Sequence, residues 1–498
     1  MVMENILQHR SIAMQNPASA LDPANRFFPD AVFHFQKTPQ GIFSVFPPFF
    51  SILTAPFYHF CGHPGKYILP LLGGIASLYL LLHFMTRWHM RHPLLLSAAA
   101  FATPLAFYTV EFWEMAPGIL PVLGMLYLLQ KKKDLWGGLV LATGLWIRPE
   151  MFFFAAAAGG ALLLTDPRRT GKFAAGFLAG SLPYGATQYL LSGHITGIHG
   201  ATYIHTARRI FWNYYYYFFS CKPAGLAAGI AAFLLGCAPG FKSFILLKRI
   251  FAVIIAAGSL YFLKKLLQDP QPVDGCIMTI GLFTTTPFLY LTAANWRSLW
   301  NAPAGSVRIT ARITLIYTAI LPMFLTSSDL GIIWGARHWL FLLPVMVLLA
   351  WYTARSRTLR KTLLLLFLLS TLIQFHGLQT QYIMRKNSCR LTDFLRENTR
   401  DIIVSDVFFL PMQTPELFRE RRWLFVKNDQ ELLDVIRLLQ QEKRPFALVR
   451  SCHGNYRRVS NRALAELLKI YRVPEKPQAV KLHKTAFLEV EIFQLVPR

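Results

Sequence analysis

Long apolar runs with few charged residues recur along this sequence between residues 46 and 375. Only 15% of its 498 residues are charged, whereas a typical soluble domain has about 25%. A helix that crosses a bilayer needs about 20 mostly apolar residues, because hydrocarbon offers the backbone no hydrogen-bonding partner. The runs therefore predict a mainly α-helical protein, a polytopic transmembrane bundle of about 10–13 membrane elements.

The predicted membrane segments differ in length, and the short run near residue 46 suits an interfacial or re-entrant element better than a full crossing. The stretch from residue 135 to residue 164 is interpreted as a helical hairpin that turns at Arg148 and Pro149. In chain order the segments are Phe46–Phe60, Tyr67–Met85, Leu94–Val110, Pro117–Leu129, Leu135–Ile147, Met151–Leu164, Phe173–Leu191, Gly225–Ala238, Ile250–Leu263, Cys276–Ala293, Ile313–Leu325, Trp339–Trp351 and Thr362–Phe375.

The net charge of +26 could indicate nucleic-acid binding. The basic residues, however, form short clusters between the apolar runs instead of one patch, which is how membrane proteins fix their orientation. We therefore predict a lipid bilayer as the partner of this surface charge, and no nucleic acid.

Basic clusters mark the cytoplasmic ends of membrane helices. If Lys131, Lys132 and Lys133 are cytoplasmic, alternation of the segments places nearly every other cluster on that side, with Lys264 and Lys265 as the exception. The same alternation places the first 45 residues, the turn at residues 148–150 and the tail after residue 376 outside. The sequence thus predicts a multi-pass protein of the cell (inner) membrane with an extracytoplasmic C-terminal domain.

The tail has the composition of a soluble domain. Short β-branched or aromatic stretches at residues 401–404, 423–426 and 446–449 alternate with helix-compatible stretches at 416–422 and 429–442. This alternation predicts a small α/β layer, and the absence of a Gly-rich phosphate fingerprint argues against nucleotide binding. We predict residues 1–45 as an extracytoplasmic loop segment, 46–378 as the transmembrane domain and 385–498 as the α/β domain.

Acidic side chains at the predicted outer edge of the membrane are candidates for chemistry, because charge at membrane depth is costly and is retained where it has a function. Asp22 and Asp30 lie in the N-terminal segment, and Glu111 and Glu114 lie three residues apart among aromatic residues. The alternatives are a structured surface loop for the aspartates and solvated interfacial carboxylates for the glutamates.

Cationic side chains are predicted on the same side. Arg148 precedes Pro149 and Glu150, and Arg337 with His338 comes just before the run at Trp339. The planar fork of an arginine suits a phosphate, whereas the alternatives are an ion pair with Glu150 that closes the hairpin and an interface anchor for the other two residues. We find no metal-ligand spacing and predict no cofactor or metal site, and a requirement for a divalent metal ion stays open.

Several of these segments, in the same order, resemble bacterial GT-C-type integral membrane glycosyltransferases, the superfamily of protein O-mannosyltransferase-like and aminoarabinose-transferase-like enzymes. Residues 45–58, Val-Phe-Pro-Pro-Phe-Phe followed by Ala-Pro-Phe-Tyr, are similar to the family's Y-P-P-x-x-P-L-L-x-A-P-x-Y run. Residues 111–114, 144–150 and 334–338, followed by Leu342-Leu343-Pro344, agree with the family in order and spacing.

The resemblance implies transfer of a sugar from a polyprenyl-phosphate donor to a glycan, lipid or protein acceptor of the cell envelope, on the outer face of the membrane. A lipid phosphate is a competent leaving group, so the site needs a carboxylate to take the acceptor's proton and cations to hold the phosphate. The implied catalytic residues are Asp22, Asp30, Glu111 and Glu114. The implied donor-phosphate ligands are Arg148, Arg337 and His338.

In this family the catalytic carboxylate sits in the first outer loop, after a first spanning helix. The sequence has no such helix before Asp22, and we expect it either upstream or lost. Two other classes of function stay open: a polytopic transporter, which would have midplane charges and internal repeats, and a catalytically degenerate glycosyltransferase homologue.

The first-loop assignment predicts that Asp22→Asn or Asp30→Asn abolishes sugar transfer, because an amide cannot accept the acceptor's proton. The measurement is transfer from a lipid-linked donor in membranes that contain each variant. Full activity in both variants would contradict the assignment.

Overall fold

A computed structural model describes residues 2–28, 35–38, 41–90, 92–197, 218, 257, 264, 278–279, 281–324, 333–334, 337–407, 410–451, 459–473, 478–481 and 489–497. The chain forms two compact units. The helical unit is Phe46–Gln379, and the α/β unit combines Met1–Val45 with Thr380–Arg498. Asp30 and the predicted segment Gly225–Ala238 lie outside the described residues, as does the predicted segment Ile250–Leu263 apart from residue 257.

The elements of the first half and of the helical unit are α1 (Val2–His9), β1 (Phe35–Thr38), β2 (Gly41–Ser44), α2 (Phe49–Cys61), α3 (Ile68–Arg87), α4 (Leu94–Phe101), α5 (Leu105–Thr109), α6 (Met115–Gln130), α7 (Asp134–Thr143), α8 (Met151–Leu163), α9 (Pro167–Ser192), β3 (Met278–Thr279), α10 (Leu282–Thr285), α11 (Leu289–Ala294), α12 (Trp296–Trp300), α13 (Gly305–Ile320), β4 (Ile333–Trp334) and α14 (Leu343–Thr353). The long helix α15 (Arg357–Asn398) follows. The remaining elements are β5 (Ile402–Ser405), α16 (Leu410–Gln413), α17 (Pro415–Glu420), β6 (Arg422–Phe425), α18 (Asp429–Gln441), β7 (Phe446–Ser451), α19 (Asn461–Ile470), β8 (Tyr471–Arg472), β9 (Gln478–Lys481) and β10 (Glu489–Pro497).

Two of the predicted continuous segments are broken in the structure. The run Leu94–Val110 forms the short helices α4 and α5, which are separated just before Pro104. The run Cys276–Ala293 is interrupted before Pro287, where Thr286 leaves the helical region with φ −133° and ψ 66°. Both breaks have the same cause, because proline disfavours a helical conformation in the preceding residue and lacks a backbone donor.

Two helices in the described part of the chain are long and apolar enough to cross a membrane. They are α3 with the turn that precedes it, His63–Arg87, and α15. Four shorter apolar helices are α2, α6, α8 and α14. By length, the described helices therefore support fewer complete crossings than the 10–13 elements that the sequence predicts, although the unit is mainly helical as expected.

The outside of the helical unit is rich in large apolar side chains. On α3, α9 and α15 the exposed ones are Leu71, Leu72, Ile75, Tyr79, Leu82, Leu178, Leu182, Tyr189, Leu190, Leu365, Leu368, Leu372 and Phe375. Soluble proteins seldom expose apolar patches of this extent, whereas hydrocarbon is a favourable environment for them. The exterior of this unit therefore suits a bilayer.

Helices α7 and α9 pack closely because small residues line their contact. A Cβ atom added to Gly138 or Gly176 would collide with a backbone carbonyl of the other helix, a pattern typical of helix pairs in membranes. At one end of the pair, Arg169 donates to both carboxylate oxygens of Asp134, with Nε–Oδ2 at 2.9 Å and Nη2–Oδ1 at 2.6 Å. This ion pair fixes the register of the two helices.

The α/β unit contains a six-stranded mixed sheet in the order β6-β5-β7-β10-β8, with β9 also paired to β10. Strands β5, β6 and β7 are mutually parallel, and β10 runs antiparallel to β7. The three parallel strands and the intervening helix α18 confirm the alternation predicted from the sequence. Strands β8, β9 and β10 and helix α19 lie beyond the last predicted strand.

Both faces of this sheet are covered by other elements. Successive residues of a strand point to opposite faces, so neighbouring residues of β5 belong to different hydrophobic cores. Ile402 and Val404 join one core with α18 and α19, whereas Ile403 joins a second core with the end of α15 and α17. At the end of α15, Arg396 donates to the two carboxylate oxygens of Glu420 at 3.1 and 3.2 Å. This hydrogen bonding lowers the pKa of Glu420.

The N-terminal residues are part of the α/β unit, which the sequence did not predict. Ala18, Leu21 and Phe27 lie in one core, and Met14, Phe28 and Ile42 lie in the other. The backbone N–H of Phe425 in β6 donates to the carbonyl of Phe27 at 2.7 Å. Segments that share a hydrophobic core must lie on the same side of a membrane. If the helical unit between them spans a bilayer as the sequence predicts, it crosses an even number of times.

We expect a cysteine in α1 and the native Cys389 to react with a membrane-impermeant maleimide from the same side of sealed vesicles. Cys389 is exposed, and Gln8 is an exposed position for the variant Gln8→Cys. The other cysteines are replaced by serine, and each site is measured alone. Labelling after detergent lysis is the control for reactivity, and labelling from opposite sides would contradict the shared core.

Candidate functional site

A cluster of charged side chains is buried in the helical unit. It joins Glu114, at the start of α6, to Arg148 and Glu150, which precede α8, and to Arg337 and His338 in the turn before α14. Glu114 and Arg337 are 8% exposed, and the other three are 2% exposed or less. Burial of charge at this level is tolerated only where the charges are paired and hydrogen-bonded.

Local turns place these residues at helix ends. The backbone N–H of Arg148 donates to the carbonyl of Gly144 at 2.8 Å, which continues the turn Gly144–Trp146. Pro149 then ends the helical path, and Glu150 becomes the residue before α8. Two charged residues are thereby held side by side at the break between two apolar segments.

The turn that carries Arg337 and His338 is fixed by aromatic side chains. The hydroxyl of Tyr317 in α13 donates to the carbonyl of His338 at 2.9 Å. The ring of Tyr317 stacks on Phe154 of α8 with 3.7 Å between centroids. Through this stack, α8 and α13 hold the backbone of His338 in place.

Arg148 lies between two carboxylates. Its Nη1 donates to Glu114 Oε1 at 2.5 Å, and its Nε donates to Glu150 Oε2 at 3.0 Å. Its Nη2 donates to Glu150 Oε1. The pairing with Glu150 is the bidentate geometry that makes arginine–carboxylate contacts strong. The guanidinium is thus used as the shared counter-ion of two acidic residues.

His338 connects this ion cluster to Arg337. Nδ1 of His338 is 3.0 Å from Glu150 Oε1, and Nε of Arg337 donates to Nε2 of His338 at 3.2 Å. A guanidinium can only donate, so Nε2 carries the lone pair and Nδ1 carries the proton. The neutral imidazole protonated at Nδ1 satisfies both contacts.

Arg337 is also held by an aromatic face. Its Cζ atom lies 5.2 Å from the ring centroid of Trp113, within the range of a cation–π contact. Trp113 directly precedes Glu114. The segment that supplies one carboxylate of the cluster therefore also supplies the platform for the second guanidinium.

The structure brings together four of the predicted site residues: Glu114, Arg148, Arg337 and His338. Glu111 is half-buried and lies three residues before Glu114. Within the described residues, no group of three or more histidine, cysteine, aspartate or glutamate side chains is placed to hold a metal ion.

Asp22 belongs to the α/β unit, and its surroundings favour a structural role over the predicted catalytic one. Its two carboxylate oxygens accept the backbone N–H groups of Arg26 at 2.9 Å and Phe27 at 2.7 Å. The side chain is buried and holds its own loop in shape. Asp30 lies outside the described residues.

The geometry also changes the interpretation of Arg148. Three of its nitrogens donate to carboxylates, which is the arrangement of the ion-pair alternative, while its role as a phosphate ligand stays a prediction. Glu150, the partner in that alternative, was absent from the predicted site and contacts both Arg148 and His338. Its signal in the sequence was a carboxylate directly after Arg-Pro between two apolar runs.

We expect Arg148→Met to lower the free energy of unfolding by about 3–5 kcal/mol, because it leaves buried carboxylates without a counter-ion. The double variant Arg148→Met/Glu150→Gln should recover part of this loss, since one uncompensated charge is removed. The measurement is the melting temperature in detergent. Arg169→Met, which breaks the less buried ion pair with Asp134, is the matched control with a smaller loss. Equal melting temperatures of the single and double variants would contradict the counter-ion role.

No family model and no curated protein matches this chain. The crystal structure of ArnT from Cupriavidus metallidurans in the apo state is similar over 99% of this chain and 95% of that chain. The sequence identity is 12% and the TM-score is 0.37. A similarity of this size does not establish a common fold or a common activity.

Proposed function

We propose that the protein is a membrane glycosyltransferase that moves a sugar from a polyprenyl-phosphate donor to a glycan, lipid or protein acceptor on the outer face of the membrane. One observation carries the proposal. Three segments that resemble motifs of that enzyme family, at Glu114, Arg148 and Arg337, are far apart in sequence and meet in one buried, hydrogen-bonded cluster.

The chemistry of such a transfer matches the side chains around this cluster. The acceptor's hydroxyl oxygen attacks the anomeric carbon, the bond from that carbon to the phosphate oxygen breaks, and the polyprenyl phosphate leaves with the electron pair. A cation must stabilise the phosphate and a carboxylate must take the hydroxyl proton. We assign the cation to Arg337, with His338 beside it, and the carboxylate to Glu111.

Arg337 is the better phosphate ligand of the two arginines. Its Cζ atom lies over the ring of Trp113 and its Nε donates to His338, so the side chain is oriented before any ligand binds. An arginine fork held in this way can receive phosphate oxygens in a bidentate manner. Arg148, in contrast, would have to leave two carboxylates.

Glu111 is the better proton acceptor of the two glutamates. Glu114 is paired with Arg148 at 2.5 Å, so its charge already balances that of a buried guanidinium. Glu111 is more exposed than Glu114 and lies on the same short segment. Glu114 is therefore assigned to the charge balance of the cluster.

We expect a short-chain polyprenyl phosphate, such as farnesyl phosphate, to raise the melting temperature of the detergent-solubilised protein, because ligand binding stabilises the folded state. In Arg337→Gln the affinity should fall by about tenfold or more, as one charged hydrogen-bonding group is lost. Arg169→Gln, a partly buried arginine outside the cluster, is the matched control and should retain the response. An unchanged response in Arg337→Gln would contradict the assignment of the phosphate site.

The reaction itself is tested in cells by mass spectrometry of envelope glycans and glycolipids. A deletion strain should lose one sugar modification, which the wild-type gene restores and the variants Arg337→Gln and Glu111→Gln do not. Unchanged envelope composition together with substrate flux in proteoliposomes would instead identify a transporter.

A further inference from the structure

We propose that Glu150 is a positioning residue for the donor-phosphate site, acting on Arg337 through His338. This inference rests on the proposed function, because it explains how the phosphate ligand is oriented. Glu150 is completely buried and is separated from Arg337 by the imidazole of His338. It therefore acts on the site indirectly.

One carboxylate oxygen of Glu150 makes the essential link. Oε1 accepts a hydrogen bond from Arg148 Nη2 and lies 3.0 Å from His338 Nδ1, while Oε2 accepts from Arg148 Nε at 3.0 Å. The bidentate contact with Arg148 fixes the plane of the carboxylate. The position of Oε1 then fixes the ring of His338.

Glu150 also selects the tautomer of His338. An ionised carboxylate can only accept, so the histidine must present its Nδ1 proton to Glu150 and its Nε2 lone pair to Arg337. The other tautomer would direct a ring N–H at the Nε–H of Arg337, and the two donors would repel each other. The carboxylate thus determines whether Arg337 can stay beside His338 and over Trp113.

Arg148 has a supporting role in this arrangement. A carboxylate with no exposed surface would take up a proton or disrupt the fold if it had no counter-ion. Arg148 supplies the positive charge, and Glu114 takes the remaining Nη1 donor of Arg148. A continuous series of contacts therefore leads from the start of α6 to the proposed phosphate ligand. Its members, in order, are Glu114, Arg148, Glu150, His338 and Arg337.

Two carboxylate-to-amide variants separate positioning from charge balance. Glu150→Gln and Glu114→Gln each remove one carboxylate from Arg148, but only Glu150 contacts His338. We expect Glu150→Gln to weaken binding of farnesyl phosphate by about tenfold, comparable to His338→Gln. Glu114→Gln should weaken binding of farnesyl phosphate less than Glu150→Gln does, because its contact is with Arg148 and not with His338, although its melting temperature without ligand falls.

The double variant Glu150→Gln/His338→Gln should bind no more weakly than either single variant, because both changes break the same link. The proposal would be overturned if the loss of affinity in the double variant equalled the product of the two single losses. It would also be overturned if Glu150→Gln and Glu114→Gln lost the same affinity. If Glu150→Gln fails to fold, Glu150→Asp keeps the charge and shortens the side chain, and the same comparison is made with Glu114→Asp.

A measurement without ligand distinguishes failure of this inference from failure of the proposed function. In protein with ¹⁵N-labelled histidine, the His338 signal is the one missing from His338→Gln. Its ring shifts should show the proton on Nδ1, and in Glu150→Gln this preference should be lost. If farnesyl phosphate does not bind the wild type while the tautomer depends on Glu150, the function is wrong and the positioning is correct. Wild-type binding with a tautomer independent of Glu150 overturns the positioning alone.

Discussion

The burial of Arg148 between Glu114 and Glu150 is the constraint on which the helical unit depends. Taking a guanidinium out of water is costly, and the cost is offset only by well-placed opposite charges. Here the partners come from the start of α6 and from the residue before α8. The ends of these helices cannot move apart without exposing a charge to an apolar interior. The ion cluster therefore ties together segments that apolar packing alone would leave free to slide.

The same ion pair also determines the positions of His338 and Arg337. Because Glu150 is held by Arg148, its remaining contact orients His338, and His338 in turn contacts Arg337. Hydrogen bonds in a medium of low polarity are strong and costly to leave unmade. A site assembled in this manner is rigid before any ligand arrives, which is favourable for binding a phosphate whose charge must be met at once.

Some of this architecture could be predicted from the sequence, and the reasons for the misses are physical. Apolar runs predict most helices of the helical unit, but they also predict Leu94–Val110 and Cys276–Ala293 as continuous segments, which Pro104 and Pro287 interrupt. Local patterns located β5, β6 and β7, but the pairing of β10 with β7 depends on partner choice across about forty residues. The proximity of Glu114, Arg148 and Arg337 also depends on tertiary packing, and for these residues the sequence predicts only a common side of the membrane.

The α/β unit is built from both ends of the described chain, and this has a consequence for biogenesis. Ala18, Leu21 and Phe27 are synthesised long before the strands that cover them. At translation rates of about 5–20 residues per second, the interval to residue 402 is about 20–75 s. During that time the strands that pack over these apolar side chains do not yet exist, so the side chains stay exposed to solvent. Completion of the sheet then requires both ends of the chain to be on one side of the predicted membrane, so a truncated chain, or one with an odd number of missed crossings, keeps these side chains exposed to chaperones and proteases.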